Sequence, residues 1–279
     1  MKKQLLSLVV GGVIAVGAAM ATQARAEDAE PEAWWGALSG SVAGVSDYVF
    51  RGISQTEGGP AAQGSLEWTH SLPFDLTVYG GAFISNVRFP DTVNNENLPI
   101  HAEVDLDAGL RGSVVGVNWD VGYIRISYPG KEMPANNSLD YDWSEVYIKA
   151  NYDFGFAKVL GGWFHSSHYS SGAGVGNYYS GEVDVPTHLY DITAVGHVGH
   201  LEIQNEANFG LPSYTDWAFG INRDCPELLG VNVALMYYDT DVSDTDVLKG
   251  GGGATATRID NRFYETATWR VVLQVSKTF

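Results

Sequence analysis

The sequence is poor in three features, each of which would point to a particular class of protein. It has one cysteine, Cys225, so an intramolecular disulfide framework is excluded. Only 16 basic residues stand against 33 acidic ones, for a formal charge of −17. This argues against nucleic acid as a partner, because binding phosphates needs a basic surface. Beyond residue 26 no stretch approaches the roughly 18 unbroken apolar residues of a membrane helix, so a bilayer-spanning mature chain would have to be a closed barrel.

Motifs of catalysis and metal binding are also missing. The sequence has no Gly-x-Ser-x-Gly elbow, no His-Glu-x-x-His pair and no phosphate-cradling loop. His165 and His168, like His197 and His200, are three apart and face opposite ways in a strand, which makes them poor metal pairs. His101 lies among acids and is expected to be structural. We predict no enzyme activity, cofactor or metal site; an enzyme built from a few strand residues is the third functional alternative.

The first residues read as a secretory signal. Lys2 and Lys3 precede an apolar, glycine-rich run at 5–19, and the small-x-small site at 24–26 predicts cleavage after Ala26. A membrane anchor is disfavoured because the apolar run is short for a spanning helix. Losing 26 residues that carry three bases and no acid would take the formal charge from −17 to −20. The predicted organisation is a signal peptide at 1–26, a short leader at 27–35 and one domain at 36–279.

The segment 100–111 alternates strictly between apolar side chains and polar, charged or glycine positions. Successive side chains of a strand point to opposite faces, so this segment has one apolar face and one charged face. In water the apolar face would be buried, whereas in a membrane barrel it would face lipid and the charges would face the lumen. The apolar set is Ile100, Ala102, Val104, Leu106, Ala108 and Leu110.

Similar patterns recur along the chain and predict twelve strands. Their phase slips between Tyr123 and Ile124, which predicts a β-bulge. The predicted strands are 36–51, 61–71, 75–88, 100–112, 115–128, 141–153, 156–168, 178–186, 189–200, 213–223, 229–240 and 267–279.

Two further patterns favour a membrane barrel over a periplasmic β-sandwich. Predicted connections alternate strictly between long and short, as in outer-membrane barrels with short periplasmic turns and long outer loops. The last predicted strand is amphipathic and ends on an aromatic residue, Phe279, which resembles proteins inserted by the outer-membrane assembly machinery. The sequence therefore predicts an all-β, transmembrane, antiparallel up-and-down barrel of about twelve strands in the outer membrane of a Gram-negative bacterium.

Several blocks carry a family resemblance that covers essentially the whole mature chain. Ser-Asp-Tyr-Val-Phe-Arg-Gly-Ile-Ser-Gln at 46–55, followed by Pro-Ala-Ala-Gln-Gly at 60–64, resembles the opening signature of the TorF-family porins, also catalogued as the Gcw_chp family. Shorter matches lie at 142–147, 214–217 and 237–241. The resemblance implies an exported proteobacterial outer-membrane barrel with a porin function, and it leaves the solute open.

The charged face predicts a set of pore-lining residues. Acids outnumber bases among them, so a water-filled passage should prefer cations. Twelve strands lie between the filled interior of about eight strands and the open channel of 16 to 18, which permits a narrow pore. Asp47 and Arg51, four apart in the predicted first strand, would share a face as a constriction or as an ion pair. Arg88, Arg111, Arg125 and Lys149 are expected to pair with the acids. The candidates are Asp47, Arg51, Glu67, Glu103, Asp105, Asp107, Arg111, Asp120, Glu145 and Lys149.

The leading hypothesis is passive diffusion of small hydrophilic solutes or ions. The alternative is a non-conducting barrel whose loops serve adhesion, envelope integrity or partner binding. An acid-dense loop at 239–246 could hold a divalent ion or bridge lipopolysaccharide phosphates, but it lacks the EF-hand spacing, so a solvated loop is favoured. The expected partners are outer-membrane lipid and lipopolysaccharide, the outer-membrane assembly machinery and the solutes themselves.

Overall fold

The computed structural model of the chain describes residues 34–89, 92–93, 96–97, 100–130, 141–243 and 265–279. The predicted signal peptide at 1–26 and most of the predicted leader lie outside these residues, as does the second half of the acidic loop. Within the described ranges the chain is almost entirely β-structure.

Twelve strands form one closed antiparallel barrel, in which each strand pairs with its sequence neighbours and the last pairs with the first. The predicted twelve-stranded, up-and-down barrel is confirmed. The strands are β1 (Ala37–Val45), β2 (Ala61–Leu72), β3 (Leu76–Asn86), β4 (Ala102–Val114), β5 (Val117–Ser127), β6 (Trp143–Asp153), β7 (Lys158–Tyr169), β8 (Gly174–Pro186), β9 (Ile192–Ile203), β10 (Tyr214–Cys225), β11 (Val231–Thr240) and β12 (Arg270–Thr278).

Strand β4 shows the predicted alternation with the charges inside. Leu106 is 57% exposed on the outer surface, while its neighbour Asp105 is 1% exposed inside the barrel. The pattern fails at its start, because Ile100 precedes the strand and is buried, and His101 is exposed rather than placed among the acids. The barrel thus has an apolar outside and a polar, charged interior, the inverse of a water-soluble sandwich.

The predicted β-bulge in β5 is wrong. The strand pairs in unbroken register with β4 and with β6. Tyr123 faces outward and Ile124, Ile126 and the following Tyr128 face inward, where they are buried. The apolar run changes face because apolar side chains, such as Trp143, share the interior with the acids at this end.

The connections alternate less strictly than the sequence predicts. The five turns at 73–75, 115–116, 154–157, 187–191 and 226–230 are short, as expected. At the other end the connection from β7 to β8 is also short, spanning only 170–173, because β8 begins at Gly174 rather than at 178. The loop end therefore has one tight connection among its longer ones.

The remaining elements are small. Two short pairs of strands lie outside the barrel sheet, Val49–Phe50 with Ile53–Ser54 and Thr92–Val93 with Glu96–Asn97. The helical elements whose bounds are described are Ser170–Gly172, Glu206–Phe209 and Pro226–Leu228, and residues 265–267 are also helical. Among the described residues no helix is long and apolar enough to cross a membrane.

Candidate functional site in the barrel interior

A hairpin leaves the barrel wall where β1 ends and folds into the lumen. We call it the inserted hairpin: Val49–Phe50 pairs with Ile53–Ser54, and Arg51 and Gly52 form the two-residue turn between them. Both turn residues have positive φ, 49° and 78°, which is the signature of a type I′ turn. The predicted first strand, 36–51, is therefore wrong beyond Val45.

Contacts to strands all around the barrel show that the hairpin lies inside it. The Tyr48 hydroxyl donates to Glu103 on β4 at 2.5 Å. The ring of Phe50 packs edge-on against Trp143 on β6, with centroids 6.1 Å apart. The carbonyl of Arg51 accepts a hydrogen bond from the Tyr214 hydroxyl on β10 at 2.9 Å. No position outside the wall could reach all of these strands.

Asp47 fixes the base of the hairpin. Its Oδ1 accepts hydrogen bonds from Ser54 at 2.6 Å and from Thr56 at 2.8 Å, and its Oδ2 accepts one from Arg270 of β12 at 2.7 Å. The cavity beside it measures only about 20 Å³ and is lined in part by Tyr48 and Tyr238, room for about one water molecule. The hairpin is thus packed tightly against the wall at its base.

The guanidinium of Arg51 occupies a pocket in the opposite wall. It donates to both carboxylate oxygens of Glu145, Nη1 to Oε1 at 2.9 Å and Nη2 to Oε2 at 2.6 Å. It also lies over the ring of Tyr178, 4.2 Å from the centroid, and near the rings of Phe164 and Tyr169. Both partners of the ion pair are almost completely buried. Bidentate geometry and stacked rings are the contacts in which arginine surpasses lysine.

An acidic row on β4 runs beneath the hairpin. Glu103 accepts hydrogen bonds from Tyr48 at 2.5 Å and from Tyr128 at 2.7 Å. Asp105, two residues on, is buried, and neither of its carboxylate oxygens has a hydrogen-bond partner in the described part of the chain. Asp107 continues the row toward the short-turn end. Within the described structure, Glu103 therefore has two hydroxyl partners and Asp105 has none.

A second cluster fills the lumen below this row. Arg111 donates to both oxygens of Glu67, at 2.9 and 2.6 Å, and its guanidinium lies 3.7 Å from the ring centroid of Tyr79. Asp120 accepts from the Tyr79 hydroxyl at 2.6 Å and pairs with Lys149 at 3.0 Å. These pairs narrow the interior, and the Arg111 side chain remains 25% exposed.

The other half of the wall carries inward charges that the sequence analysis missed. Lys158, Glu182 and Asp184 line β7 and β8, and both carboxylate oxygens of Glu182 lack a hydrogen-bond partner among the described residues. Asp216 lies 3.1 Å from His197 and accepts from the Tyr178 hydroxyl at 3.0 Å. The predicted strand 178–186 already contains both acids of β8, and their two-residue spacing could have assigned them to the lumen face.

The ten predicted pore-lining residues all lie in the interior. Eight face inward from the wall, and Asp47 and Arg51 lie on the segment that enters the lumen. Those two do not share a strand face and do not pair: Asp47 pairs with Arg270, and Arg51 pairs with Glu145. Arg88 and Arg125 do not join the lumen acids as predicted. Their partners are Glu57 and Asp142, and both arginine side chains are substantially exposed. Among the described residues, no cluster of three or more His, Cys, Asp or Glu side chains could hold a metal ion.

A sequence-family comparison decides the relationship. The family described as "Bacterial protein of unknown function (Gcw_chp)" matches residues 28–279. The chain belongs to the Gcw_chp family. The signature block at 46–55 is therefore, in this Gcw_chp protein, the inserted hairpin with its flanking residues. A comparison with curated proteins finds none that matches.

Solved structures similar to this Gcw_chp protein include two porins and LpxR from Salmonella typhimurium. A porin refined at 1.8 Å is 16% identical with a TM-score of 0.41; the match covers 78% of this chain and 62% of the porin, so this chain spans about three fifths of it. The NanC porin is 11% identical with a TM-score of 0.46 and coverages of 87% and 98%. LpxR is 9% identical with a TM-score of 0.40 and coverages of 86% and 99%. At these identities and TM-scores the likeness says nothing about ligand or activity.

Proposed function

We propose that this Gcw_chp protein is an outer-membrane channel for small hydrophilic cations, shut at its loop end by the inserted hairpin. The observation that carries the proposal is the inversion of the barrel, with apolar side chains outside and charged side chains inside. Leu106, Phe219 and Val271 are each more than half exposed on the outer surface. Such a surface needs lipid, and a closed barrel satisfies every wall hydrogen bond within a bilayer.

The interior charge supports a preference for cations. Acids outnumber bases inside the barrel, and rings of like charge set the selectivity of a pore. The resemblance of residues 46–55 to the TorF-family signature supports a porin function and leaves the solute open. The interior acids are Asp47, Glu67, Glu103, Asp105, Asp107, Asp120, Glu145, Glu182, Asp184 and Asp216; the bases are Arg51, Arg111, Lys149, Lys158 and Arg270.

The hairpin obstructs the path, so conduction requires that it move. Glu103, Asp105 and Glu145 are buried beneath it and do not line open water. The obstruction depends on polar anchors at Arg51 and Asp47, and polar anchors can exchange for water or for a ligand. We propose that the hairpin is a gate.

The obstruction of the lumen by the hairpin also fits one competing function, that of a barrel that stays shut while its outer loops bind a partner. The tight packing of the hairpin would then be purely structural. The two functions differ in what removal of the hairpin does.

Deleting residues 49–54 in the full chain separates them. The backbone N–H of Gln55 donates to the carbonyl of Tyr48 at 2.6 Å, so Tyr48 and Gln55 are close enough to be joined. We expect the deletion variant to raise potassium flux from proteoliposomes at least tenfold over the wild type, with much less effect on chloride. A variant that folds and inserts but leaks no ion would support the shut barrel and contradict the channel.

A further inference from the structure

The turn residue Arg51 does not fit its backbone position. Type I′ turns favour asparagine, aspartate or glycine at both central positions, because φ is positive there. Gly52 meets this requirement, whereas Arg51 adopts a φ of 49° with a long side chain. An observed backbone outlier at a ligand-like contact points toward function. The contacts of the guanidinium with Glu145 and the surrounding rings hold Arg51 in this backbone conformation.

The pocket that binds this guanidinium is formed mainly by the barrel wall. Its carboxylate is Glu145 of β6, and its aromatic walls are Phe164 and Tyr169 of β7 and Tyr178 of β8. Phe164 and Tyr178 pack against each other, with centroids 6.1 Å apart. A carboxylate framed by aromatic faces is a receptor for an organic cation. The hairpin contributes only the occupant and the ring of Phe50.

We propose that this wall pocket is a binding site for small alkylguanidinium ions and that Arg51 is its tethered occupant, which a free cation displaces. The proposal rests on the proposed channel, because the cation must enter the lumen. Displacement would remove the deepest anchor of the hairpin, so the ligand would open the gate.

The contacts define the ligand more closely. Only the two terminal nitrogens of Arg51 meet Glu145, and its Nε has no hydrogen-bond partner among the described residues. An alkyl substituent on one nitrogen is therefore tolerated, as in methylguanidinium. Asp105 of β4 is close enough to Glu145 to interact with it electrostatically, and it would repel a ligand carboxylate. We expect methylguanidinium to bind more tightly than free arginine.

The test uses the full chain with Arg51→Ala, which empties the pocket. Methylguanidinium should raise the thermal unfolding midpoint of R51A toward the wild-type value in a saturable way, because a ligand that binds only the folded state stabilises it. The double variant R51A/E145Q should need at least tenfold more ligand for the same shift. Urea, a neutral isostere of guanidinium, should give no rise. Trp143, whose ring lies 5.2 Å from that of Tyr169, gives a second readout by fluorescence.

A rise that is equal in R51A and R51A/E145Q, or absent in R51A, would overturn the proposal. If R51A folds only when methylguanidinium is present during refolding, that supports it; if R51A folds under neither condition, R51Q is judged by the same criteria. The midpoint measures binding without ion flow. Binding to R51A with no ion flux in any variant would refute the channel and leave the binding pocket supported. Ion flux without ligand binding to R51A would refute the binding pocket and leave the channel supported.

Discussion

Arg51 and Glu145 are 94 positions apart in the sequence, and they form a two-pronged ion pair inside the barrel with side chains that are 1% and 3% exposed. Arg51 is at the tip of a hairpin that starts from β1, and Glu145 is on β6 across the lumen. The pair therefore ties the inserted hairpin to the opposite wall. Its charges are shielded from water, so losing either partner leaves the other buried and unpaired.

Breaking the ion pair between Arg51 and Glu145 should lower the free energy of unfolding. Glu145→Gln leaves the Arg51 guanidinium without its counter-charge, and removing one partner of a buried pair costs about 3 kcal/mol of unfolding free energy. Urea unfolding of the refolded protein in detergent micelles measures the change. Arg88→Ala is the matched control, because Arg88 pairs with Glu57 at 2.6 Å while its side chain is 76% exposed. The control should cost less than about 1 kcal/mol. Equal effects from the two variants would mean that the Arg51 pair anchors nothing.

Gly52 should tolerate no side chain. A Cβ there would lie 2.5 Å from Cγ2 of Thr240 and 2.7 Å from Cβ of Asp216, so Gly52→Ala must push the hairpin tip away from the wall. Gly58 has a similar φ of 74° with no atom within 4 Å of its ideal Cβ, so Gly58→Ala carries only the cost of a side chain in the left-handed region, about 1–2 kcal/mol. We expect G52A, and not G58A, to increase ion leakage in proteoliposomes. Indistinguishable variants would show that the close approach at Gly52 has no bearing on the gate.

Neighbouring acids on β4 should respond oppositely to the same substitution. Asp105→Leu removes a buried carboxylate that has no hydrogen-bond partner in the described structure, and it should raise the unfolding free energy by about 1–2 kcal/mol. Glu103→Leu strips the Tyr48 and Tyr128 hydroxyls of their acceptor and should lower it by about 2 kcal/mol. Urea unfolding of both variants measures whether the free energy of unfolding rises or falls in each. A destabilised D105L would mean that Asp105 has a partner, such as an ion, that holds it in place.

A charged side chain at the middle of the outer wall should destabilise the barrel in a membrane. Ile148 faces outward near the centre of β6 and is half exposed. Ile148→Arg would put a cation in the hydrocarbon and should cost about 2–4 kcal/mol of stability in lipid vesicles. Phe156→Arg, in the short turn after the same strand, should cost less than about 1 kcal/mol because the interface tolerates the charge. A tolerated I148R together with a destabilising F156R would contradict the position of the bilayer.

The barrel wall could be predicted from the sequence because its signal is local. In a strand with one lipid face and one lumen face, apolar and polar side chains must alternate with a period of two, and segments such as 100–111 show that alternation. The strand ends at the short turns were predicted to within a few residues, because the alternation stops where each strand ends. The prediction started β8 at 178 instead of 174, because Gly174 and Gly176 have no side chain and show no alternation there, although both are paired in the sheet.

The inserted hairpin could not be predicted in this way, because Val49 and Phe50 extend the apolar pattern of β1 and give no sign that the chain turns inward. One signal of an apolar interior was present and was misread, because the inward apolar residues Ile124 and Ile126 were interpreted as a β-bulge. Those two isoleucines form part of the apolar interior beneath the hairpin. Which residues pair across the lumen depends on barrel closure, which no local pattern contains.

Single-channel recording of the refolded wild type and E145Q in a planar bilayer under a salt gradient tests the gated channel most directly. The wild type should stay closed for most of the recording, and E145Q should show frequent discrete steps with a reversal potential on the cation-selective side. A folded and inserted E145Q that shows no steps, or steps as rare as those of the wild type, would contradict the claim that the Arg51 anchor holds the channel shut.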